Sequence, residues 1–346
     1  MIILFVGPMV YGSTTIQRYQ ALIRINPLTY SINTIARKKI NIFCNLYYKF
    51  LSKIGFPKDF SNVNEHIITQ IRKLKPDILW LEKSITITPN TLSVVKKICK
   101  KLKILGYSPD YISRFVNRSY YFVKSLKYYD VFFTTKSFGV DELKKFGTKK
   151  VFFVNNSFDP VTHKKIFCIN KKKTQFDCPL GFIGTWEPER AKYIYSIAAS
   201  GFLVKWWGSV SNRHLLLQKF YNHPNLIKYN YTLLGKKYTQ ALNSFDIALC
   251  FLRKDNKDLQ TTRSIEIPAC GTFMLAERTR EHQILFKEGK EAEFFSDKEE
   301  MLDKIKYYLK NSKARHKIAE AGRKRCKVSG YSNDETISNM IKKVIK

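Results

Sequence analysis

Short apolar runs alternate with segments of helical periodicity along almost the whole chain, and few folds can accommodate that alternation. Residues 2–6, 78–81, 103–106, 130–134 and 150–154 are apolar stretches of strand length. Between them, residues 14–25, 62–74, 89–98, 111–124 and 139–146 carry apolar side chains at helical spacing. Strands that are apolar on both faces and joined through helices form a mostly parallel sheet covered on both sides. A second series follows the basic stretch 164–173 (KKIFCINKKK), with strands at 180–183, 202–207 and 246–251 and helices at 188–199 and 236–243. Three more helices, at 298–309, 313–325 and 333–345, complete it. The expected fold is α/β: two tandem doubly wound, Rossmann-like domains facing a central ligand cleft. Their expected bounds are 1–165 and 166–328, with a C-terminal helix in 329–346 that could pack back on the first domain.

Length and composition agree with this. A chain of 346 residues can bury two such cores, and a hydrophobic fraction of 44% excludes wholesale disorder. The opening MIILFVG is too short for a signal-peptide core or a membrane span, and no later apolar run approaches ~18 residues. Seven cysteines are scattered without a CxxC or a Cys/His cluster, so neither a zinc site nor a disulfide framework is expected. The expected compartment is the cytoplasm. The net charge of +33 is distinctive, and residues 1–165 alone hold +19, from 28 Lys+Arg against 9 Asp+Glu. It suits an anionic membrane surface, which would make the protein peripheral at the inner face of the membrane, or a nucleic acid. It is equally what an A+T-rich gene would encode, and both readings stay open.

Polar residues concentrate where apolar strands hand over to helices. Residues 253–277 (RKDNKDLQTTRSIEIPACGTFMLAE) follow the apolar run DIALCFL and gather Asn256, Asp258, Thr262, Arg263 and Glu266 ahead of Pro268 and Gly271. Open α/β sheets bind ligands at such junctions, and a helix start carrying an arginine suits a phosphate. Residues 180–190 (LGFIGTWEPER) repeat the pattern. Gly184 and Thr185 end a strand, Trp186 begins the turn, and Arg190 could meet a diphosphate or stand as a solvated charge. Asp258 and Glu266 are separated by seven residues, which brings two carboxylates to one ligand if the loop folds back; Arg263 could instead pair with Glu266. The loop GPMVYGST lacks both GxGxxG and GxxxxGK[ST], so Gly12 and Ser13 mark either a loop near the cleft or a tight turn. Asp110, in LGYSPD, is an acidic group for the cleft or a cap for a helix from Tyr111. The histidines stand mostly in polar surroundings, without Ser/His/Asp order or HExxH, so hydrolase readings lack support.

At GTWEPER and TRSIEIPACGTFMLAER the chain resembles glycosyltransferases of the spore-maturation CgeB type, related to the group 1 glycosyltransferases. The likeness extends through YTQALNSFDIALCFLRKDN and, more weakly, through GPMVYGSTTIQR, GYSPD, YYDVFFTTK and NNSFDPVTH. It implies a GT-B fold, with a nucleotide sugar on the second domain and the acceptor on the first. It also implies Glu266 on the donor ribose, Arg190 and Arg263 on the diphosphate, and backbone approach at Gly184 and Thr185. Asp258 stands where related retaining enzymes have the first Glu of an E-x7-E pair, a departure. No metal or other cofactor is implied. The function expected is transfer of a sugar to a glycan, glycolipid or surface-structure acceptor. The alternatives are a nucleic-acid acceptor and a noncatalytic sugar-nucleotide-binding protein of coat assembly.

Overall fold

The apolar runs form two separate six-stranded parallel sheets in the computed structural model, which describes residues 1–35, 42–114, 117–167 and 174–345. The chain divides into two compact units: Met1–Asn155 with Asn333–Lys346, and Asn156–Ser332.

Unit 1 begins with β1 (Ile3–Gly7), α1 (Thr14–Ile25), β2 (Thr29–Asn33), α2 (Ile42–Lys53) and α3 (Val63–Leu74). It continues through β3 (Ile78–Glu82), α4 (Pro89–Ile98), β4 (Lys103–Ser108), α5 (Tyr120–Ser125), β5 (Val131–Thr134), α6 (Gly139–Lys145) and β6 (Val151–Phe153). Its strand order is β2-β1-β3-β4-β5-β6. Alternate residues of β1 point to opposite faces: Leu4 and Val6 join Ile67, Ile71 and Val95, whereas Ile3 and Phe5 join Trp80, Ala21 and Leu22. Residues 111–114 are a turn, not the start of a helix. The α-helix in this region is α5, where the Ser119 side chain accepts from the Phe122 N–H.

Unit 2 runs through β7 (Cys178–Ile183), α7 (Pro188–Ala199), β8 (Val204–Trp207), α8 (Leu215–Gln218), β9 (Leu226–Tyr229) and α9 (Gly235–Ser244). It then continues through β10 (Phe245–Cys250), α10 (Arg263–Ala269), β11 (Phe273–Glu277), α11 (Arg280–Leu285), β12 (Glu293–Phe295), α12 (Lys298–Lys310) and α13 (Ser312–Val328). Its strand order is β12-β11-β10-β7-β8-β9, the doubly wound arrangement in which chain direction across the sheet reverses between β7 and β10. Both faces are buried: Ile247 and Leu249 of β10 meet α7 and α12, while Ala248 and Cys250 meet residues of α9 and α10. The last helix, α14 (Asn333–Ile345), belongs to unit 1. Its Ile337, Met340, Ile341 and Val344 share a core with Ile3, Phe5 and Trp80, and Asp334 pairs with Arg24 at 2.6 Å. The first boundary falls at residues 155/156, ahead of the basic stretch at 164–173.

In each unit the sheet's order reverses once, between β1 and β3 in unit 1 and between β7 and β10 in unit 2. The loops leaving the carboxyl ends of such strands diverge, one to each face, and leave a crevice between them.

Candidate active site

In unit 2 the two loops flanking the reversal are those the sequence singles out, 184–187 after β7 and 251–262 after β10. The second loop closes on itself. Residues Lys254–Asn256 form one tight turn, Lys257 adopts a left-handed backbone with φ of 48°, and the Asp258 N–H donates to the Arg253 carbonyl at 3.1 Å. Buried Asn256 donates through Nδ2 to Oδ1 of Asp258 at 2.7 Å and so fixes the carboxylate.

Arg190 and Arg263 differ in environment. Arg190, in the first turn of α7, is only 2% exposed. Its Nη1 donates to the Thr185 carbonyl at 3.0 Å and its Nη2 to the Phe251 carbonyl at 3.2 Å, with the guanidinium over the Phe182 ring. It therefore ties the two loops together. Burial, then the nearby Arg263 charge, lowers its pKa to about 10. Glu187 lies 3.8 Å from Arg190 and 2.9 Å from the Nε of Arg253. Arg263, at the start of α10, is half-buried, and its Nε is buried without a hydrogen-bond partner. Three arginines, 190, 253 and 263, thus converge with two carboxylates, Glu187 and Asp258, and positive charge predominates. Such a cluster is stabilised by an anion.

Glu266 is one turn further along α10 and 5% exposed. Its Oε2 accepts from the Tyr238 hydroxyl at 2.6 Å. Its Oε1 faces Nε2 of His163 at 3.7 Å. The other ring nitrogen, Nδ1, accepts from the Asp159 N–H at 3.1 Å, so Nε2 carries the proton in the neutral ring. Glu266 keeps lone pairs on both oxygens and is set against one donor and one imidazole, not against Arg263. Burial and then the Glu266 charge hold the Tyr238 hydroxyl well above its ordinary pKa, so it remains a donor.

A second buried histidine supports the start of α10. The Nδ1–H of His282 donates to the Glu277 carbonyl at 2.6 Å, so Nε2 must accept from the Ser264 hydroxyl at 2.7 Å. That hydroxyl in turn accepts from the Thr261 N–H at 3.0 Å. Burial lowers the His282 pKa to about 4, which keeps it neutral. The expectation of polar surroundings fails for His282, which is 0% exposed; His163, after the DPVTH turn, is likewise buried at 2%.

The remaining candidates in unit 2 have structural surroundings. The Gly184 N–H donates to the Trp207 carbonyl and its carbonyl accepts from Trp206 Nε1, both at 2.8 Å, so its N–H is not free for a phosphate. Trp186 is buried and stacked on Trp206. Thr185 is exposed and offers its carbonyl to Arg190, while Thr262 gives its carbonyl to the N–H of Glu266 at 2.9 Å.

In unit 1, Gly12 takes a positive φ of 73° in the turn after β1, and the Ser13 side chain caps α1. Behind that turn Arg18 makes a buried two-pronged pair with Glu82 at 2.6 and 2.8 Å, under the Tyr107 ring. Neither Arg18 nor Glu82 is among the sequence candidates, although both stand at strand–helix junctions. Asp110 caps no helix; it pairs with Lys83 at 3.2 Å, beside the same cluster. Among the described residues no group of three His, Cys, Asp or Glu side chains is arranged to hold a metal ion.

Residues 190–342 match the model of a family described as glycosyl transferase-like. No curated protein sequence matches the chain. Among solved structures, sucrose-phosphate synthase of Thermosynechococcus elongatus superposes with a TM-score of 0.67 at 11% identity, covering 100% of this chain and 99% of that one. HepE of Anabaena, solved with UDP-glucose, gives 0.64 at 11% identity, with coverage of 99% and 100%. An alpha-glucosyltransferase solved with UDP and a 13-mer DNA gives 0.68 at 11% identity, with coverage of 100% and 99%. These likenesses establish the GT-B fold of two Rossmann-like units. The family match marks residues 190–342 as glycosyl transferase-like.

Proposed function

We propose that unit 2 binds a nucleoside-diphosphate sugar, with a UDP-sugar as the first donor to test, and that the sugar passes to a glycan, glycolipid or surface-structure acceptor. The reading places the chain in the CgeB-like branch of the group 1 glycosyltransferases. The observation that carries it is the arginine cluster at the sheet reversal, where Arg263 has a buried, unpartnered Nε beside buried Arg190. A diphosphate supplies the missing negative charge and the acceptor for that N–H. Glu266, aimed by Tyr238, accepts from the two ribose hydroxyls. Asp258, braced by Asn256, lies within the field of the same arginines and is the carboxylate for the sugar. Arg263 stabilises the departing diphosphate, and Arg190 holds the loops that position it. In this scheme the arginines supply the charge that a divalent cation supplies elsewhere. Asp110 is the candidate acidic group on the acceptor side.

Calorimetric titration of UDP-glucose into the wild type and into Glu266→Ala tests the assignment. Losing hydrogen bonds to a charged carboxylate is worth about 1.5–3 kcal/mol, or roughly 10–150-fold in affinity. A folded Glu266→Ala protein with unchanged affinity would remove the donor site from this position. Donor turnover that survives a chelator supports the metal-independent scheme; loss restored by magnesium or manganese contradicts it.

A further inference from the structure

One stretch of unit 2 carries cations and exposed apolar side chains with no acidic residue within it. Between Glu189 and Asp246 the sequence contains eight Lys and Arg and no Asp or Glu, whereas the rest of the unit mixes both signs. The stretch includes α8 and the residues after it, LLLQKF, which buries none of its helical side chains. Leu216 is 73% and Phe220 78% exposed, with Leu215 and Leu217 exposed beside them. An apolar cluster of this kind on a water-facing surface marks an interaction site.

The segment is anchored through its polar groups. Lys228, on the edge strand β9, donates from Nζ to the carbonyls of Gln218 at 3.3 Å and Tyr221 at 3.1 Å and to the Asn222 side chain. The Gln218 side chain donates to Asn230 at 2.9 Å, and His214 packs against the Trp186 ring. The backbone is thus tied to the sheet while the leucines and Phe220 face outward. Exposed Lys219, Lys236 and Lys237 belong to the same acid-free stretch, as does Lys192, which pairs with Glu189 at its border at 2.9 Å.

We propose that α8 and Phe220 enter the interface of an anionic bilayer, with the lysines of this stretch on its headgroups. Lipid satisfies both halves of the surface: acyl chains take the apolar side chains and phosphates take the ammonium groups. A second copy of this chain would set lysines against lysines across a twofold axis, which is repulsive. α8 follows the carboxyl end of β8, the sheet edge that also carries Arg190 and Arg263, so docking here brings that edge to the lipid. The proposal does not rest on the donor assignment.

Flotation of the full chain with phosphatidylcholine vesicles, with and without phosphatidylglycerol, at low and high salt, is the test. The wild type should float with anionic vesicles and be released by salt. The exposed double substitution Leu216→Glu/Phe220→Glu should keep the wild-type melting temperature and lose partitioning by at least about tenfold. Lys219→Glu/Lys236→Glu should weaken binding and flatten its salt dependence. Wild-type flotation of the Leu216→Glu/Phe220→Glu protein would overturn the proposal and leave the charge of unit 1 as the attachment. Self-association of the wild type that this variant abolishes, without vesicle binding, would also overturn it and make the patch a contact between copies.

Discussion

Arg190 and Arg263 illustrate how two arginines in similar sequence positions take different work. Arg190→Ala removes donors from the carbonyls of Thr185 and Phe251, the second in a buried setting, and should cost about 2–4 kcal/mol of stability in urea unfolding. Arg263→Ala removes a cation from a cluster in which cations outnumber carboxylates and should leave stability nearly unchanged or raise it. It should still weaken UDP binding by tenfold or more while affecting uridine little, because a guanidinium matches phosphate oxygens and not a neutral ribose. Equal losses for UDP and uridine would point to a structural role for Arg263. His282 gives a pH signature. Its pKa is depressed from 6.5 to about 4, so the unfolded chain binds the extra proton and stability from this group is complete above pH 6.5. That stability, about 3 kcal/mol in all at 1.36 kcal/mol per unit, drains away as pH falls toward 4. The His282→Gln variant should lack this segment of the stability–pH curve; parallel curves for the two proteins would refute it.

At the level of elements, the GTWEPER motif is built around a close approach of two glycines. A Cβ on Gly208 would lie 1.8 Å from the Gly184 carbonyl oxygen, at the point where the Gly184 N–H already bonds the Trp207 carbonyl. Gly208→Ala must push the end of β8 away from the loop after β7, and so displace Thr185 from Arg190. Overpacking against backbone costs about 1–3 kcal/mol, and UDP affinity should fall with it. A Gly208→Ala protein with wild-type melting and binding would mean the loop is softer than its hydrogen bonds suggest. The same motif marks what sequence could convey. The central strands were legible because both faces are buried, which makes β3 (ILWLE) and β11 (FMLAE) nearly continuous apolar runs. Edge strands β2 and β9 were not, since half their side chains face water and the apolar signal is broken. Glu266, Arg263 and Asp258 were legible as polar residues at a strand–helix junction. Tyr238 and His163 were not, because each reaches Glu266 from a distant stretch of chain, and only the packing of α9 and the 159–163 turn against α10 brings them there. Arg190 was legible as a basic residue at such a junction, but not as one whose donors are taken by backbone carbonyls.

For the molecule as a whole, charge sets a term that no single contact reveals. Unit 1 holds 29 Lys+Arg against 10 Asp+Glu and unit 2 holds 32 against 18, so each is strongly cationic, at +19 and +14. Like charge raises the energy of a compact state relative to an expanded one. The opposing term is the set of ion pairs, of which the densest joins Arg278, Glu288, Glu300 and Lys304 at partly exposed positions. Exposed pairs contribute little individually and are screened by the same salt. With 61 basic residues and 28 acidic ones, more than half of the cations cannot have a partner of their own, and repulsion should dominate. Raising sodium chloride from very low to physiological ionic strength shortens the Debye length to about 8 Å. The melting temperature should therefore rise, by roughly 2–6 °C if screening returns one or two kcal/mol. Glycerol at matched osmolality, which screens nothing, separates charge from crowding. A melting temperature that fell with salt would show that the ion-pair networks outweigh the net charge, and that the excess of lysine is already compensated within the fold.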